Sequence, residues 1–92
     1  MSQLNQRPLS PSALTLRMEA LRRAVNVLLC QEIQILALDL NRDTPVIEIS
    51  DLPRNQRLGP SAVYRHSRDA RGAIARHQVQ LEGCRVEWDR IN

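Results

Sequence analysis

Residues 77–88, HQVQLEGCRVEW, carry the strongest structural signal in the chain, because their apolar positions change phase half-way along. Up to Leu81 the apolar residues are odd-numbered, and from Cys84 onward they are even-numbered. A straight strand keeps one phase, so a turn or a bulge must intervene. We favour a two-residue turn at Glu82-Gly83 over a bulge at Gly83, because apolar side chains then meet across a hairpin. The predicted pairs are Leu81 with Cys84, Val79 with Val86, His77 with Trp88, Gln80 with Arg85, and Gln78 with Glu87.

Upstream, residues 33–50 predict a first hairpin. Residues 33–40 (IQILALDL) are apolar on both phases, which is typical of a central strand covered by a helix. Residues 41–45 (NRDTP) have turn chemistry, and residues 46–50 (VIEIS) are predicted as the second strand. Pro45 fits at the start of that strand, where its missing N–H does no harm.

A long helix is predicted over residues 10–31. Ser10 is the expected N-cap, with Ser12 as the alternative, and Pro11 is the expected first helical residue. Apolar residues then recur at steps of four and three, which marks one face of a helix. These residues are Leu14, Met18, Leu21, Val25 and Leu28. We expect this face to cover the sheet, although its spacing also fits a short dimer seam.

Together these elements predict an α+β fold, in which one long N-terminal helix packs on an antiparallel sheet of about four strands in two hairpins. At this length, residues 1–92 form a single domain. Its predicted parts are a flexible tail over 1–9, the helix over 10–31, hairpins over 33–50 and 76–90, and a basic connection over 51–75. Within that connection, Ser61 and Gly72 would bound a short helix over 62–71.

The connection is the basic part of the chain. All thirteen basic residues are arginines, and six of them fall in residues 54–77 against one acid, Asp69, which gives a net charge of +5. The rest of the chain contains seven arginines and nine acids, which gives a net charge of −2. Guanidinium groups suit phosphates and carboxylates, so the segment predicts a polyanion-binding site in which Tyr64 stacks on a base or on an arginine plane. Nucleic acid is favoured as the polyanion, although an acidic protein surface would suit the same arginines. A solvated polar loop would have the same composition. The candidate binding residues are Arg54, Arg57, Tyr64, Arg65, Arg68, Arg71 and Arg76.

A metal centre is not expected. The candidate ligands are Cys30, His66, His77 and Cys84. Structural zinc sites usually contain a closely spaced cysteine pair, which this chain lacks. We therefore expect no metal and no other cofactor.

Catalysis is not expected either. Asp39, Glu48 and Asp51 could meet near the first hairpin, but no histidine or activated serine lies near them in sequence. The absence of lysine excludes a P-loop lysine and a Schiff base. The prediction is a protein without enzymatic activity.

The sequence also bears on location. No apolar run approaches the ~20 residues of a membrane span, and the N-terminal residues lack the apolar centre of a signal peptide. Two cysteines far apart in the chain indicate reduced thiols. We expect a cytoplasmic protein that does not bind a membrane.

As a whole, the chain resembles the short proteins encoded by phages and prophages. The points of likeness are a helix with RMEALRRAVNVLL at 17–29, the strand PVIEIS at 45–50, the basic connection, and GCRVEW at 83–88. Its size and its arginine-rich segment are similar to those of the anti-CRISPR proteins, in particular inhibitors of the type I-F surveillance complex.

This resemblance implies a non-enzymatic inhibitor that docks on a host ribonucleoprotein of Cas proteins and guide RNA and blocks the binding of target DNA. The arginines would contact guide-RNA phosphate or occupy the path of the DNA. The implied location is the host bacterial cytoplasm, and we expect a monomer. Two other hypotheses stay open: a small regulator that binds DNA or RNA directly, and a homo-oligomeric phage assembly protein.

Overall fold

The computed structural model describes residues 10–91, so the tail predicted over 1–9 lies outside the described residues. One helix and five strands make up the α+β fold, and a 3₁₀ helix, Pro53–Leu58, lies between the second and third strands. The elements are α1 (Pro11–Cys30), β1 (Ile35–Asp39), β2 (Val46–Ile49), β3 (Ala62–Asp69), β4 (Gly72–Leu81) and β5 (Cys84–Ile91). The strands form one sheet in the order β1-β2-β5-β4-β3.

The helix begins as its capping residues predict. The Ser10 side chain accepts a hydrogen bond from the Ala13 N–H, and Pro11 occupies the first turn, where its missing N–H is not needed. Of the predicted apolar face, Leu28 is buried, whereas Leu14 and Met18 near the start of the helix are exposed. The helix therefore covers the sheet with its C-terminal half. No helix among residues 10–91 is both long enough and apolar enough to cross a membrane.

The core lies between this half of α1 and one face of the central strands. Aliphatic side chains dominate it, as the scarcity of aromatic residues requires. Its buried members are Ala24, Leu28, Ile33, Ile47, Ile49, Cys84, Val86 and Trp88. Burying a Leu, Ile or Val side chain contributes about 1.5–3 kcal/mol, so these residues supply most of the stability of the fold.

The sheet is mixed and five-stranded, so the predicted antiparallel sheet of about four strands is wrong in detail. Strands β2 and β5 pair in parallel, with Ile47 opposite Val86. This pairing places β2 inside the sheet and β1 at its edge, so the prediction of a central strand over 33–40 is also wrong. Leu36 and Leu38 of β1 are more than half exposed.

The fifth strand comes from the connection predicted over 51–75. No helix forms over 62–71, because this segment has the end residues of a helix without the apolar stripe that would hold one against the sheet. Instead β3 pairs antiparallel with β4 through a tight turn in which Asp69 lies opposite Gly72. The last hairpin consequently starts at Gly72, four residues before the predicted boundary at 76.

The register predicted for residues 77–88 is confirmed at all five pairs. Both turn residues have a positive φ, 51° at Glu82 and 80° at Gly83. Such a turn matches the right-handed twist of the two strands it joins. The hairpin thus places Val86 and Trp88 on the face that α1 covers.

Candidate functional site

The strand pairing divides the arginines between two faces of the sheet. Val86 and Trp88 lie in the core under α1, so the residues that alternate with them on β5 point to the opposite face. We call these the helix-side face and the open face. Directly paired residues share a face, so Arg65, which lies opposite Arg76, is on the open face with Asp89.

Arg76 is the centre of an ion-pair network on the open face. Its guanidinium lies 3.0 Å from the Asp89 carboxylate, 3.1 Å from that of Glu87 and 3.4 Å from that of Glu48. The Tyr64 hydroxyl accepts a bond from Arg76 Nε at 3.3 Å and donates one to Glu87 Oε1 at 2.9 Å. The Arg76 side chain is 13% exposed and that of Glu87 is 8% exposed.

This network makes Arg76 a structural cation. Burial opposes the charged guanidinium, but its hydrogen bonds with Tyr64, Asp89 and Glu87 outweigh burial and raise the pKa of Arg76. Around Arg76 the charges balance, because three arginines stand beside three carboxylates. The residues concerned are Arg65, Arg76 and Arg85, and Glu48, Glu87 and Asp89.

Two further predicted binding residues also have partners within the chain. Arg54 donates to the Glu32 carbonyl at 2.8 Å and lies 3.5 Å from its carboxylate. Arg71 lies 2.8 Å from the Asp69 carboxylate, and hydrogen bonds from the Arg71 side chain and backbone lower the pKa of Asp69. These two arginines have less of their charge free for an outside anion than their positions in sequence suggest.

The other predicted arginines are exposed and form no ion pair with the described residues. Arg57 lies in the last turn of the 3₁₀ helix, Arg65 on the open face, and Arg68 on the helix-side face opposite Ala73. Tyr64 sits at an irregularity of β3 between Val63 and Arg65, and its ring is partly exposed while its hydroxyl is engaged. Stacking by Tyr64 therefore stays a prediction.

The structure places two residues outside the predicted set beside Arg68. His66 lies opposite Ala75 of β4, and Ala75 lies opposite Arg90 of β5. The side chains of His66 and Arg90 therefore lie in one row across the helix-side face, with Ala75 between them. Arg68 projects two residues further along β3, about 6.6 Å away. We call Arg68, His66 and Arg90 the basic face.

The basic face is accessible because α1 packs at the other end of the strands. The helix approaches the β4–β5 turn, where Arg23 lies 3.8 Å from Glu82. The row of His66 and Arg90 lies six residues from that turn, or about 20 Å. All eight residues of β3 are exposed, and alanines at 73 and 75 leave the arginine side chains uncovered. Arg90 could have been found from the sequence by extending the predicted pairing two residue pairs beyond His77 and Trp88.

A cleft of about 590 Å³ adjoins the basic face on the same side of the sheet. Loop 51–61 forms one wall, and β4 and β5 form the other. Its lining residues include Asp51, Asn55, Ser61, His77, Trp88 and Arg90. The His77 and Trp88 rings stack at a centroid distance of 5.4 Å with 8° between their planes.

The geometry in this cleft does not form a catalytic triad. Ser61 Oγ lies 2.9 Å from His77 Nδ1, which is the distance of a nucleophile and its base. No carboxylate among residues 10–91 accepts a hydrogen bond from His77, so the orienting group of a triad is missing. Of the three acids considered for catalysis, Asp39 bonds to Asn41 and Arg42, Glu48 bonds to Arg76, and Asp51 lines the cleft.

The four candidate metal ligands are dispersed. Cys30 is exposed at the end of α1, Cys84 is buried in the core, and the two histidines lie on different strands. Within the described part of the chain, no three residues of the ligand types come together in a geometry that could hold a metal ion.

Comparison with known proteins finds no family model that matches this sequence, no matching curated protein and no matching solved structure. The functional argument therefore rests on the geometry of the basic face and the cleft.

Proposed function

We propose that this chain is a non-enzymatic binding protein whose basic face contacts the phosphate groups of a nucleoprotein. One observation carries the proposal. Arg68 and Arg90 lie on the same exposed face, on either side of small alanines, and neither forms an ion pair with the described residues. Guanidinium groups held in this way are suited to bind phosphate oxygens.

The scaffold supports binding more than chemistry. The buried ionic centre at Arg76 is saturated by acids of its own chain, and the serine–histidine pair lacks an orienting carboxylate. A nucleoprotein is favoured over naked nucleic acid because the basic face is small. Two or three cationic contacts bind phosphates weakly at physiological salt, so a protein surface must supply the rest of the affinity.

The resemblance to anti-CRISPR proteins names the target to try first. On this proposal the protein docks on the type I-F surveillance complex of Cas proteins and guide RNA. The basic face then contacts guide-RNA phosphate or occupies the path of target DNA. The inhibitor acts by excluding the DNA, and it carries out no reaction.

The test compares two double variants in binding to the purified surveillance complex and in blocking its target DNA. Arg68→Gln with Arg90→Gln removes two charges from the basic face. Arg22→Gln with Arg42→Gln is the matched control, because those arginines pair with acids elsewhere in the chain. We expect only the first variant to lose inhibition, and each lost phosphate contact to lower the salt slope of binding by about 0.7–0.9.

The outcomes distinguish an error in the named target from an error in the proposed role of the basic face. If the complex is not bound, the named target is wrong, and capture from a host lysate with and without nuclease treatment identifies the alternative. Tight binding to naked oligonucleotides at physiological salt would favour a direct regulator of DNA or RNA. If both double variants bind with the wild-type salt slope, the proposal for the basic face is wrong.

A further inference from the structure

The cleft beside the basic face has one flat aromatic wall. Trp88 is 5% exposed and His77 stacks against it, while Ser61 Oγ holds the His77 ring through Nδ1. The size of the cleft, about 590 Å³, falls in the range of small-molecule sites. A planar ring is the ligand shape that such a wall favours, because aromatic side chains recognise unpaired bases by contact with their rings.

The opposite wall presents hydrogen-bond acceptors without partners. Asn55 is 2% exposed, and its Nδ2 donates to the Ser50 carbonyl at 2.8 Å, which fixes the orientation of the amide. Its Oδ1 is buried and accepts no hydrogen bond from the described residues. Asp51 also lines the cleft, and its carboxylate makes no ion pair with them either. A buried acceptor left unpaired costs about 1–3 kcal/mol, so a ligand N–H would be stabilised here.

Arg90 connects the two parts of this surface, because it lines the cleft and belongs to the basic face. We infer that the cleft binds one unpaired nucleobase of a single-stranded nucleic acid while Arg90 holds the attached phosphate. This inference rests on the proposed function and names the ligand that the cleft would bind. Two acceptors match the exocyclic amines of guanine, adenine and cytosine, whereas thymine and uracil offer one ring N–H and no amine.

Trp88 fluorescence reports directly on binding in the cleft, since Trp88 is the one tryptophan of the chain. The probes are twelve-nucleotide oligo-dC and oligo-dT strands, their RNA counterparts, a duplex, and inorganic polyphosphate, each titrated to millimolar concentration. We expect oligo-dC and oligo-C to quench Trp88 and to bind at least about fivefold more tightly than oligo-dT and oligo-U. Polyphosphate should compete with them without quenching, because it carries phosphates and no bases. The RNA and DNA arms show which backbone is preferred.

A variant of the cleft separates base recognition from charge. Asp51→Ala removes an acceptor and also a negative charge, so electrostatics alone would tighten the binding of an anionic strand. We expect the opposite, a loss of at least about fivefold for oligo-dC together with loss of the preference over oligo-dT. Asp43→Ala is the control, because it removes the same charge from an exposed turn outside the cleft.

The results distinguish the two proposals. If no probe binds, both the cleft inference and direct phosphate contact by the basic face are wrong. If strands, duplex and polyphosphate bind alike, with Trp88 fluorescence unchanged, the basic face binds phosphate and the inference about the cleft is overturned. Tighter binding of oligo-dC by Asp51→Ala would overturn it as well.

Discussion

Removal of the Arg76 guanidinium should destabilise the protein more than removal of any exposed arginine. In Arg76→Met the stem remains while the charge is lost, so Glu87 keeps an 8% exposed carboxylate without its closest cation. Breaking a buried ion pair by removing one partner costs about 3–5 kcal/mol. Glu48 and Asp89 are 41% and 31% exposed, so solvent screens their ion pairs with Arg76 and reduces what those pairs contribute to stability. We therefore expect a loss of about 2–4 kcal/mol.

That loss is large for a chain of this length. Small domains unfold with about 0.05–0.15 kcal/mol per residue, or roughly 5–14 kcal/mol in total for this chain. Urea unfolding followed by far-ultraviolet circular dichroism and by Trp88 fluorescence measures the change. The control is Arg71→Met, which breaks the exposed pair with Asp69 and should leave the unfolding midpoint unchanged.

A double-mutant cycle tests whether the loss comes from the Glu87 carboxylate, whose remaining ion-pair partner is Arg85 at 3.4 Å. Glu87→Gln should cost less in the Arg76→Met background than in the wild type, with a coupling of at least about 1 kcal/mol between the two positions. Two results would refute this reasoning. One is a loss for Arg76→Met below about 1 kcal/mol, and the other is strict additivity of the two substitutions.

Two further predictions follow from the core and from the last turn. Burial raises the pKa of the Cys84 thiol, so its neutral form is favoured in the folded state. The stability it contributes is present below its ordinary value of 9.0 and is lost as the pH rises above that value. Unfolding measured between pH 8 and 10.5 should show this decline in Cys30→Ser but not in Cys84→Ala, and equal slopes would contradict the assignment. Glu82 has a φ of 51°, which asparagine tolerates better, so Glu82→Asn should raise the unfolding free energy by about 0.3–1 kcal/mol. Glu82→Gln is the control, since it removes the charge facing Arg23 without relieving the backbone.

Local patterns predicted the parts of this fold that depend on neighbours in sequence. The phase change between Leu81 and Cys84 required a turn or a bulge, and the preference for a two-residue turn, which pairs apolar residues with each other, then set the register of the last hairpin. Ser10 and Pro11 located the start of α1 for a similar reason, since a cap acts on the next three residues.

Pairing between distant segments could not be read in the same way. Nothing near Ile47 indicates that its neighbour is Val86, and the parallel pairing of β2 with β5 depends on the whole arrangement of the sheet. Strand β3 was missed because all of its residues are exposed, so it lacks the alternation of apolar and polar residues that marks a half-buried strand. One edge of its backbone is hydrogen-bonded to β4, and this pairing requires no apolar side chain.

The candidate site was predicted in composition but not in arrangement. A count of arginines treats Arg68 and Arg76 alike, yet the former has no ion-pair partner in the described chain while the latter is held by three acids. Those acids come from β2 and β5, which lie outside the basic segment in sequence. The charge of +5 over residues 54–77 therefore overstated the free positive charge, and the same reasoning missed Arg90.

One consequence of this arrangement is that stability and binding can be tested separately on the same strands. On the open face, the polar side chains around Arg76 hydrogen-bond to one another. Two cations without ion-pair partners among the described residues, Arg68 and Arg90, lie on the helix-side face, where β3 extends beyond α1 and alanines replace larger side chains. Substitutions at Arg68 and Arg90 break no contact of the network, and Arg76→Met removes no charge from the basic face. A loss of binding at Arg68 and Arg90 with an unchanged unfolding midpoint would therefore report on recognition alone.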